Sequence, residues 1–289
     1  MEYKTLSNGI AMPLIGFGTY QISPEHCRQV IQDAITVGYR AIDTAQSYAN
    51  EKEIGEALAA SPVDRHELFL TSKIWVHNAG YEKTKKSIDR SLEKLQTDYL
   101  DLMLIHQPFG DYYGSWRAME EAYREGKLRA IGVSNFYPDR LVDFCHYVEI
   151  KPMVNQVETH VFFQQQEAHA FMNRYNVTHE AWAPFAEGKN HLFTQPLLTS
   201  IGNRYGKTAA QVALRFLVQQ GIVLVVKSTH KDRMEQNMQI FDFSLSHEEM
   251  EAIRGLDRGK SLFFSHTDGK TVESLLDLKR YEGKIDRIL

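Results

Sequence analysis

The chain has 289 residues, with 33 Lys and Arg against 37 Asp and Glu, a formal net charge of −4 and 43% hydrophobic residues. This composition is typical of a soluble globular protein, and the acidic balance argues against nucleic-acid or membrane-surface partners, which favour basic patches. Two cysteines are too few for a disulfide framework. Without a signal-peptide core or a membrane-length apolar run, we expect a cytoplasmic protein.

Eight short apolar or β-rich runs predict strands. They lie at residues 41–45, 68–75, 99–106, 130–135, 153–158, 177–182, 223–228 and, more weakly, 239–243. Most lack strict alternation of apolar and polar residues, as expected for parallel strands covered on both faces. Helical patterns occur between them, at residues 23–38, 81–95, 114–126 and 207–221. The first has Ser23 as its N-cap and Pro24 at its first position, and it ends at Gly38.

The alternation of strand and helix predicts the fold class. The ends of four consecutive runs, at Asp43, Lys73, His106 and Asn135, are spaced by about 30 residues, the length of a strand, a crossover helix and two loops. This favours an α/β fold closed into a (β/α)8 TIM barrel. The rival, a doubly wound dinucleotide-binding sheet, fails because GFGTYQ at 16–21 lacks its third glycine. With no linker visible, we expect one domain over residues 1–289.

Four polar side chains stand at or just after buried strands and are our candidate catalytic residues. Lys73 interrupts an apolar strand, where an unpaired ammonium would cost on the order of several kcal/mol or lose its proton. Asp43, at the end of the preceding strand, is its natural partner. Tyr48 follows on the loop after Asp43, and His106 ends the third strand. Barrel enzymes place their chemistry at the carboxyl ends of strands, so we expect these four groups to meet there.

These four groups suit proton donation to an oxygen that gains negative charge. Tyrosine is a poor acid, with an ordinary pKa of about 10. Because Lys73 would stabilise the phenolate and Asp43 would keep Lys73 charged, we expect the pKa of Tyr48 to lie well below that value in the cofactor-bound enzyme. His106 would orient the same oxygen. No nucleophile triad or metal-ligand cluster is evident, so no metal is expected and a cofactor must supply the reductant.

The residues resemble the aldo-keto reductase family from GFGTYQ near the start to EQN at 235–237. The most specific segments are DTAQSYANE (43–51), SKIW (72–75), LIHQP (104–108), GVSNF (132–136), NQVE (155–158) and VKSTHKDRMEQN (226–237). The resemblance implies a single barrel with an N-terminal β-hairpin cap and a C-terminal loop. It also implies NADPH-dependent reduction of a carbonyl to an alcohol by direct hydride transfer, with Tyr48 as general acid tuned by Lys73 and Asp43, and His106 positioning the carbonyl.

The resemblance also implies cofactor-binding residues, position by position. Those matching the nicotinamide site are Ser134, Asn135, Gln156 and the stacking aromatic Trp182. Those matching the adenosine 2′-phosphate and adenine sites are Lys227, Ser228, Arg233, Gln236 and Asn237. Further cofactor contacts are implied at Gly18, Thr19 and Tyr20. Two fixed cations around one phosphate are what selection of NADPH over NADH requires.

Five positions depart from the family's common pattern. Val226 replaces a proline before the phosphate-binding lysine, Ala183 lacks a hydroxyl that is often present, and Ala186 replaces a glycine. Gln236 replaces a more frequent glutamate, and Gln107 a frequent tryptophan. The first four concern cofactor affinity and the loop at 183–193, and the fifth concerns the mouth of the substrate pocket.

The segment between His106 and Trp116 is short and carries few charges, so we expect an open substrate pocket. Its lining is predicted to comprise Tyr20, Trp75, Gln107 and Phe109, then Tyr112 and Tyr113, with aromatics of segment 262–266 closing one side. Such a pocket suits small aldehydes, α-keto aldehydes or keto sugars, as in the bacterial or protozoal members assigned to methylglyoxal, diketogluconate or broad aldehyde reduction. The resemblance implies a monomer.

Two other functions stay open. A barrel that forms a Schiff base at Lys73, as a lyase or aldolase does, predicts neither a tyrosine beside the lysine nor an adenosine-phosphate motif, and both are present here. A nucleotide-sensing subunit on the same fold would retain the cofactor motif with little turnover, and the intact set of four candidate catalytic residues argues against it.

Overall fold

A computed structural model describes residues 1–277 of the chain. Its strands are β1 Tyr3–Thr5, β2 Ala11–Pro13, β3 Ile15–Gly18, β4 Ala41–Asp43, β5 Phe69–Ile74, β6 Leu102–Ile105, β7 Ile131–Ser134, β8 Val154–Glu158, β9 Thr178–Trp182 and β10 Val223–Val226. Its α-helices are α1 Pro24–Val37, α2 Glu51–Ala59, α3 Tyr81–Leu95, α4 Tyr112–Arg124, α5 Pro138–Tyr147, α6 Gln166–Arg174, α7 Pro196–Tyr205, α8 Ala209–Val218, α9 Lys231–Met238, α10 His247–Arg254 and α11 Gly269–Asp277.

Strands β3 to β10 form a parallel barrel in the order β10-β3-β4-β5-β6-β7-β8-β9. The barrel is closed because β9 also pairs with β10. The predicted (β/α)8 barrel is therefore confirmed. Strands β1 and β2 form a separate antiparallel hairpin, with Tyr3 opposite Pro13, as the family resemblance implied. Its residues Leu6 and Met12 are buried in the hydrophobic core. Among residues 1–277, no helix combines the length and apolarity needed to cross a membrane.

The eighth barrel strand differs from the prediction. Residues 239–243 form turns and bends, with Ile240 buried in the core, and the strand that completes the barrel is β3. This strand reads Ile-Gly-Phe-Gly, a composition that favours turns. The glycines are required by close packing: a Cβ added at Gly18 would lie 2.8 Å from Val225 Cγ1, and one at Gly16 would lie 3.2 Å from Ala41 Cβ.

The predicted helices are present with small shifts at their ends. Helix α1 begins after Ser23, and Gly38 closes it in the left-handed conformation (φ 117°). Helix α4 begins two residues earlier than predicted because the Asp111 side chain accepts the Gly114 N–H at 2.8 Å. Helix α8 is shorter than predicted and begins with a capping box formed by Thr208. Each buries its apolar stripe against the barrel, as amphipathic helices do.

The strand register brings the candidate catalytic residues together. Strands β4, β5 and β6 are neighbours, with Asp43 opposite Thr71 and Lys73 opposite Leu104. His106 follows directly after β6, and its backbone N–H donates to the Ile74 carbonyl of β5 at 3.1 Å. Because parallel strands all end at one face of the barrel, the polar side chains at these strand ends form a single rim.

Candidate active site

A chain of short contacts links Asp43, Lys73 and Tyr48 at this rim. Lys73 Nζ donates to Asp43 Oδ1 at 2.5 Å, to the Thr44 carbonyl at 3.0 Å and to Tyr48 Oη at 3.4 Å. Burial alone would lower the pKa of Lys73, but the charge of Asp43 and its contact with Tyr48 outweigh that effect and raise the pKa above the ordinary value. Lys73 is therefore a charged ammonium aimed at the phenol.

The pKa of Tyr48 is shifted upwards, whereas the sequence led us to expect a downward shift. Burial raises it above the ordinary tyrosine value and outweighs the lowering by Lys73. The neighbouring cation favours the phenolate, but the phenolate also loses solvation among Tyr20, Trp75 and His106, and this loss has the larger effect. Tyr48 is thus fully protonated at neutral pH, which is the state required of a proton donor.

His106 is held in an aromatic pocket beside Tyr48. The centre of its ring lies 5.6 Å from that of Tyr48 and 5.2 Å from that of Trp75, both edge to face, and Nδ1 lies 3.4 Å from Ser47 Oγ. Burial lowers the pKa of His106 well below its ordinary value, and the positive charge of Lys73 lowers it further. The imidazole is therefore neutral and suited to orient a carbonyl oxygen by a hydrogen bond.

Asn135 connects this site to the side chain predicted to stack on the nicotinamide. Asn135 adopts the left-handed conformation (φ 64°), which asparagine tolerates better than most residues. Its Nδ2 donates to the His106 carbonyl at 3.1 Å, and its Oδ1 accepts the indole N–H of Trp182 at 2.9 Å. The indole ring is thereby fixed at the rim beside the site.

A cavity of about 1910 Å³ runs along the rim and brings most of the predicted residues together. The predicted residues on its wall are Gly18, Tyr20, Asp43, Tyr48, Trp75, His106, Gln107, Ser134, Asn135, Gln156, Trp182, Lys227, Ser228, Arg233, Gln236 and Asn237. Lys73 lies just beneath it, fully buried. Ligand pockets usually measure about 300–1,000 Å³, so this volume accommodates a dinucleotide together with a second small molecule.

The donor set of the cavity fits NADPH. Tyr48, His106, Lys227 and Arg233 all line it. Partial burial lowers the pKa of Lys227, an effect that the carboxylate of Glu187 opposes. Two cations and the hydroxyl of Ser228 suit a phosphate monoester, and the fixed indole of Trp182 suits a flat ring. Among the residues described, no group of three or more His, Cys, Asp or Glu side chains is placed to hold a metal ion.

Thr19 and Phe109 do not lie where the sequence placed them. Thr19 is fully buried and donates both its N–H and its hydroxyl to the Asp43 carbonyl at 3.0 Å, so it holds the end of β4 and does not reach the cavity. Phe109 turns away from the mouth and stacks on the ring of His266 at 6.1 Å. Tyr112 likewise packs against Phe136, at 5.3 Å between ring centres.

Tyr113, like Tyr112, packs against aromatic residues outside the substrate pocket. Its ring lies 5.3 Å from that of Phe144, and its hydroxyl donates to Asp143 Oδ2 at 2.6 Å. Pairing with a helix-surface carboxylate directs this phenol away from the site. Of the predicted pocket aromatics between Tyr20 and Tyr113, Tyr20 and Trp75 are the ones that line the cavity.

Two aromatic side chains of the predicted segment 262–266, Phe263 and Phe264, line one side of the cavity. Phe263 and Phe264 lie 5.4 and 6.2 Å from Trp182. Glu158, at the end of β8, anchors the segment by accepting the Leu262 N–H at 2.9 Å, and His266 Nε2 lies 2.8 Å from Gln107 Oε1. Gln107, which departs from the family pattern, thus helps to hold this segment at His266.

The loop after β9 contains alanines in a backbone conformation that normally favours glycine. Ala183 and Ala186 both have φ of 50°, and Glu187, Asn190 and His191 are also left-handed. At Ala186, where the family commonly has glycine, the left-handed conformation costs about 1–2 kcal/mol. Ala186 is fully buried, so its methyl group recovers part of that cost by packing.

Sequence reasoning missed Gln46, which fixes the turn that carries Tyr48. Its Oε1 accepts the Trp75 N–H at 3.1 Å and the Asn78 amide at 2.7 Å. Its Nε2 donates to the Ser87 carbonyl at 3.3 Å. The signal was its place in the DTAQSYANE segment, two residues before Tyr48. Sequence reasoning also missed Glu180, a buried carboxyl on β9 that contacts Gln156.

Comparisons with known proteins agree with this geometry. The sequence model of the Aldo/keto reductase family matches residues 14–258. The chain is 44% identical over 255 residues to glyoxal reductase of Bacillus subtilis (88% of this chain, 92% of that protein). It is 38% identical over 260 residues to methylglyoxal reductase DkgA of Escherichia coli K12 (89% and 94%).

A solved structure is also similar. The aldo-keto reductase of Bombyx mori in complex with NADP superposes with a TM-score of 0.85 at 31% identity, covering 94% of this chain and 96% of that one. The barrel, the rim of polar side chains and the sequence match together identify the chain. It belongs to the aldo/keto reductase family and is an NADP-dependent oxidoreductase that reduces aldehydes and ketones.

Proposed function

We propose that this reductase acts on small aldehydes and α-keto aldehydes, with Tyr48 as the proton donor. The observation that carries the assignment is the contact chain from Asp43 through Lys73 to Tyr48 at one end of the cavity. Two cations, Lys227 and Arg233, line the same cavity. This arrangement suits a dinucleotide that lies along the rim with its reactive ring beside the phenol.

In the proposed mechanism, four side chains each have a separate role. His106, neutral because it is buried, donates a hydrogen bond to the carbonyl oxygen and orients it. Tyr48 Oη donates its proton to that oxygen as negative charge develops there. Lys73 then stabilises the phenolate, and Asp43 keeps Lys73 charged and in place. When bound, NADPH supplies the hydride to the carbonyl carbon.

The geometry also supports roles for the residues of the cofactor end. We propose that Trp182 stacks on the nicotinamide while Ser134, Asn135 and Gln156 hold its carboxamide. The residues proposed for the adenosine 2′-phosphate and adenine are Lys227, Ser228, Arg233, Gln236 and Asn237. Gly18 and Tyr20 line the same wall.

Small substrates are favoured because the reacting end is walled on three sides. Tyr20 and Tyr48 lie 5.0 Å apart between ring centres, Trp75 covers His106, and the tail segment closes the side near Gln107. The two curated relatives are named for glyoxal and methylglyoxal reduction. Both of those compounds are two- or three-carbon dicarbonyls that fit such a pocket.

The experiment that tests the function follows NADPH oxidation with glyoxal, methylglyoxal, a keto sugar and a bulky steroid ketone. We expect turnover with the dicarbonyls and much weaker turnover with the steroid. Deuterium placed on the reactive carbon of NADPH should appear on the carbinol carbon of the product, since the hydride is transferred directly. An enzyme that oxidises NADPH with none of these carbonyls would contradict the proposal.

Replacing Arg233 by alanine is expected to weaken NADPH binding and leave NADH binding unchanged. A charge-assisted hydrogen bond to phosphate contributes about 1.5–3 kcal/mol, so the Kd for NADPH should rise by about 10- to 100-fold. Fluorescence titration with each dinucleotide measures the two affinities. Lys231→Ala is the matched control, because it removes an exposed cation from the first turn of the same helix. Equal losses for NADPH and NADH would show that Arg233 does not hold the 2′-phosphate.

We further propose that residues 1–289 form one domain that acts as a cytoplasmic monomer without a nucleic-acid partner. The net charge of −4 supports the last point, and the two cysteines, Cys27 and Cys145, are both free and buried. Light scattering at micromolar concentration tests the oligomeric state, and a mass twice that of the chain would contradict it.

A further inference from the structure

A second carboxyl lies beside the catalytic ion pair and has no place in the mechanism above. Glu180, on β9, is 2% exposed and stands opposite Gln156 of β8 and Val223 of β10 in the strand register. It interrupts a buried strand just as Lys73 does. A carboxyl without an ionic partner at such a position needs either a proton or a strong hydrogen-bond network.

Gln156 connects this carboxyl to the catalytic ion pair. Its Nε2 donates one hydrogen bond to Glu180 Oε2 at 3.0 Å and one to Asp43 Oδ2 at 2.9 Å. A primary amide has two N–H bonds, so both are used by the two carboxyls. Asp43 is therefore held on both oxygens, by Lys73 on Oδ1 and by Gln156 on Oδ2. Glu180 in turn fixes the orientation of the Gln156 amide.

The charges around Glu180 do not balance unless one carboxyl carries a proton. The ionisable groups that face it are Asp43 from β4, Lys73 from β5 and Tyr48 from the turn after β4, whereas Gln156 and Val223 are neutral. Asp43 is paired with the single cation. Burial and the charge of Asp43 raise the pKa of Glu180 to about 8, against opposing effects of Gln156 and Lys73.

We propose that Glu180 is a positioning residue for proton transfer, which holds Asp43 through Gln156 and, by gaining or losing its own proton, adjusts how readily Tyr48 gives up its proton. This inference rests on the proposed role of Tyr48 as the acid. With Glu180 protonated, the cluster contains one cation and one anion. When Glu180 ionises, the added negative charge disfavours the phenolate of Tyr48 and strengthens the hold of Lys73 on its own proton.

The predicted consequence is a decline of reduction in a pH range where Tyr48 itself does not titrate. The pKa values of Tyr48 and Lys73 are raised and that of His106 is lowered, so these groups keep their states between about pH 7 and pH 9.5. One added charge at short range in a protein interior alters a nearby equilibrium by about 10- to 100-fold. We expect kcat of the wild type to fall by about 10-fold over this range.

The test compares the wild type with Glu180→Gln at saturating NADPH. The amide preserves the shape of the protonated acid and cannot ionise, so kcat at about pH 7 should stay within about threefold of the wild type and remain level to about pH 9.5. KM for the carbonyl should not change, because Glu180 does not line the cavity. Glu120→Gln, which alters another buried carboxyl, on α4, is the control and should retain the wild-type profile.

A second measurement does not depend on activity. A carboxyl whose pKa is higher in the folded than in the unfolded state stabilises the fold at low pH, and this contribution is lost as the pH rises from about 4 towards 8. The unfolding equilibrium constant of the wild type, relative to that of Glu180→Gln, should therefore rise about tenfold per pH unit within this window. Urea unfolding at several pH values measures it.

The outcomes separate the two proposals. A wild type that reduces no carbonyl overturns the proposed function, while the unfolding comparison still reports on Glu180. An active wild type whose kcat profile matches that of Glu180→Gln overturns the role of Glu180 and leaves the function intact. Should Glu180→Gln not fold, the wild-type profile decides: a fall of kcat between about pH 7 and pH 9.5 supports the proposal, and a level profile overturns it.

Discussion

Replacing Tyr48 by phenylalanine is expected to lower kcat for carbonyl reduction by about 10²- to 10⁴-fold, the usual contribution of a positioned acid. The ring is retained, so its packing against Tyr20 and His106 stays, and only the proton donor is lost. Affinity for NADPH should be unchanged. Single-turnover reduction of methylglyoxal gives the rate, and fluorescence titration gives the affinity.

A matched control distinguishes loss of the acid from loss of a hydroxyl in general. Tyr112→Phe removes a phenol hydroxyl from the outer aromatic cluster around Phe144 and should leave kcat within about twofold. If Tyr48→Phe turned over at the wild-type rate, another group would have to donate the proton. Loss of NADPH binding in Tyr48→Phe would instead assign the phenol to cofactor binding.

Replacing Lys73 by methionine is expected to reduce both activity and stability. Asp43 would remain buried with one oxygen unpaired, and removal of one partner from a buried ion pair costs about 3–5 kcal/mol in the free energy of unfolding. The phenolate of Tyr48 would also lose its stabilising cation, so kcat should fall by about 10²-fold or more. Chemical denaturation and steady-state kinetics measure the two effects separately.

The double variant Lys73→Met with Asp43→Asn separates structure from chemistry. Removing both charges leaves no unpaired buried ion, so most of the lost stability should return. The amide of residue 43 can still accept from Gln156, which preserves that contact. Activity should remain low, because nothing stabilises the phenolate. Recovery of kcat in the double variant would show that Lys73 serves only to neutralise Asp43.

The sequence predicts the centre of the site well because a charged side chain there lies in an otherwise apolar strand. Lys73 stands in a strand that is otherwise apolar, and a buried ammonium requires a nearby carboxylate, which Asp43 supplies one strand earlier. Regular spacing of the strands then places His106 directly after the next strand, at the same rim. These inferences depend on the order and spacing of the strands, and both can be inferred from the sequence.

What the sequence could not predict depends on side-chain direction and on contacts between distant segments. Phe109 follows the right strand but turns to stack on His266, a residue near the far end of the chain. The direction of the Tyr48 pKa depends on burial, which spacing does not report. Glu180 carried the same signal as Lys73, an ionisable side chain inside a buried strand. Its hydrogen-bond partner, Gln156, is uncharged, so the sequence does not indicate that the two side chains pair.

The closing pair of the barrel, β3 with β10, also has a consequence for folding. The two strands lie near opposite ends of the described chain, and synthesis proceeds at roughly 5–20 residues per second. One edge of β3 therefore stays open for about ten seconds or more on the ribosome, when an exposed strand edge is a template for aggregation. Ile-Gly-Phe-Gly is a poor template because glycine weakens strand pairing. We therefore expect the glycines that fit β3 against Val225 and Ala41 also to limit aggregation of the nascent chain before β10 is synthesised.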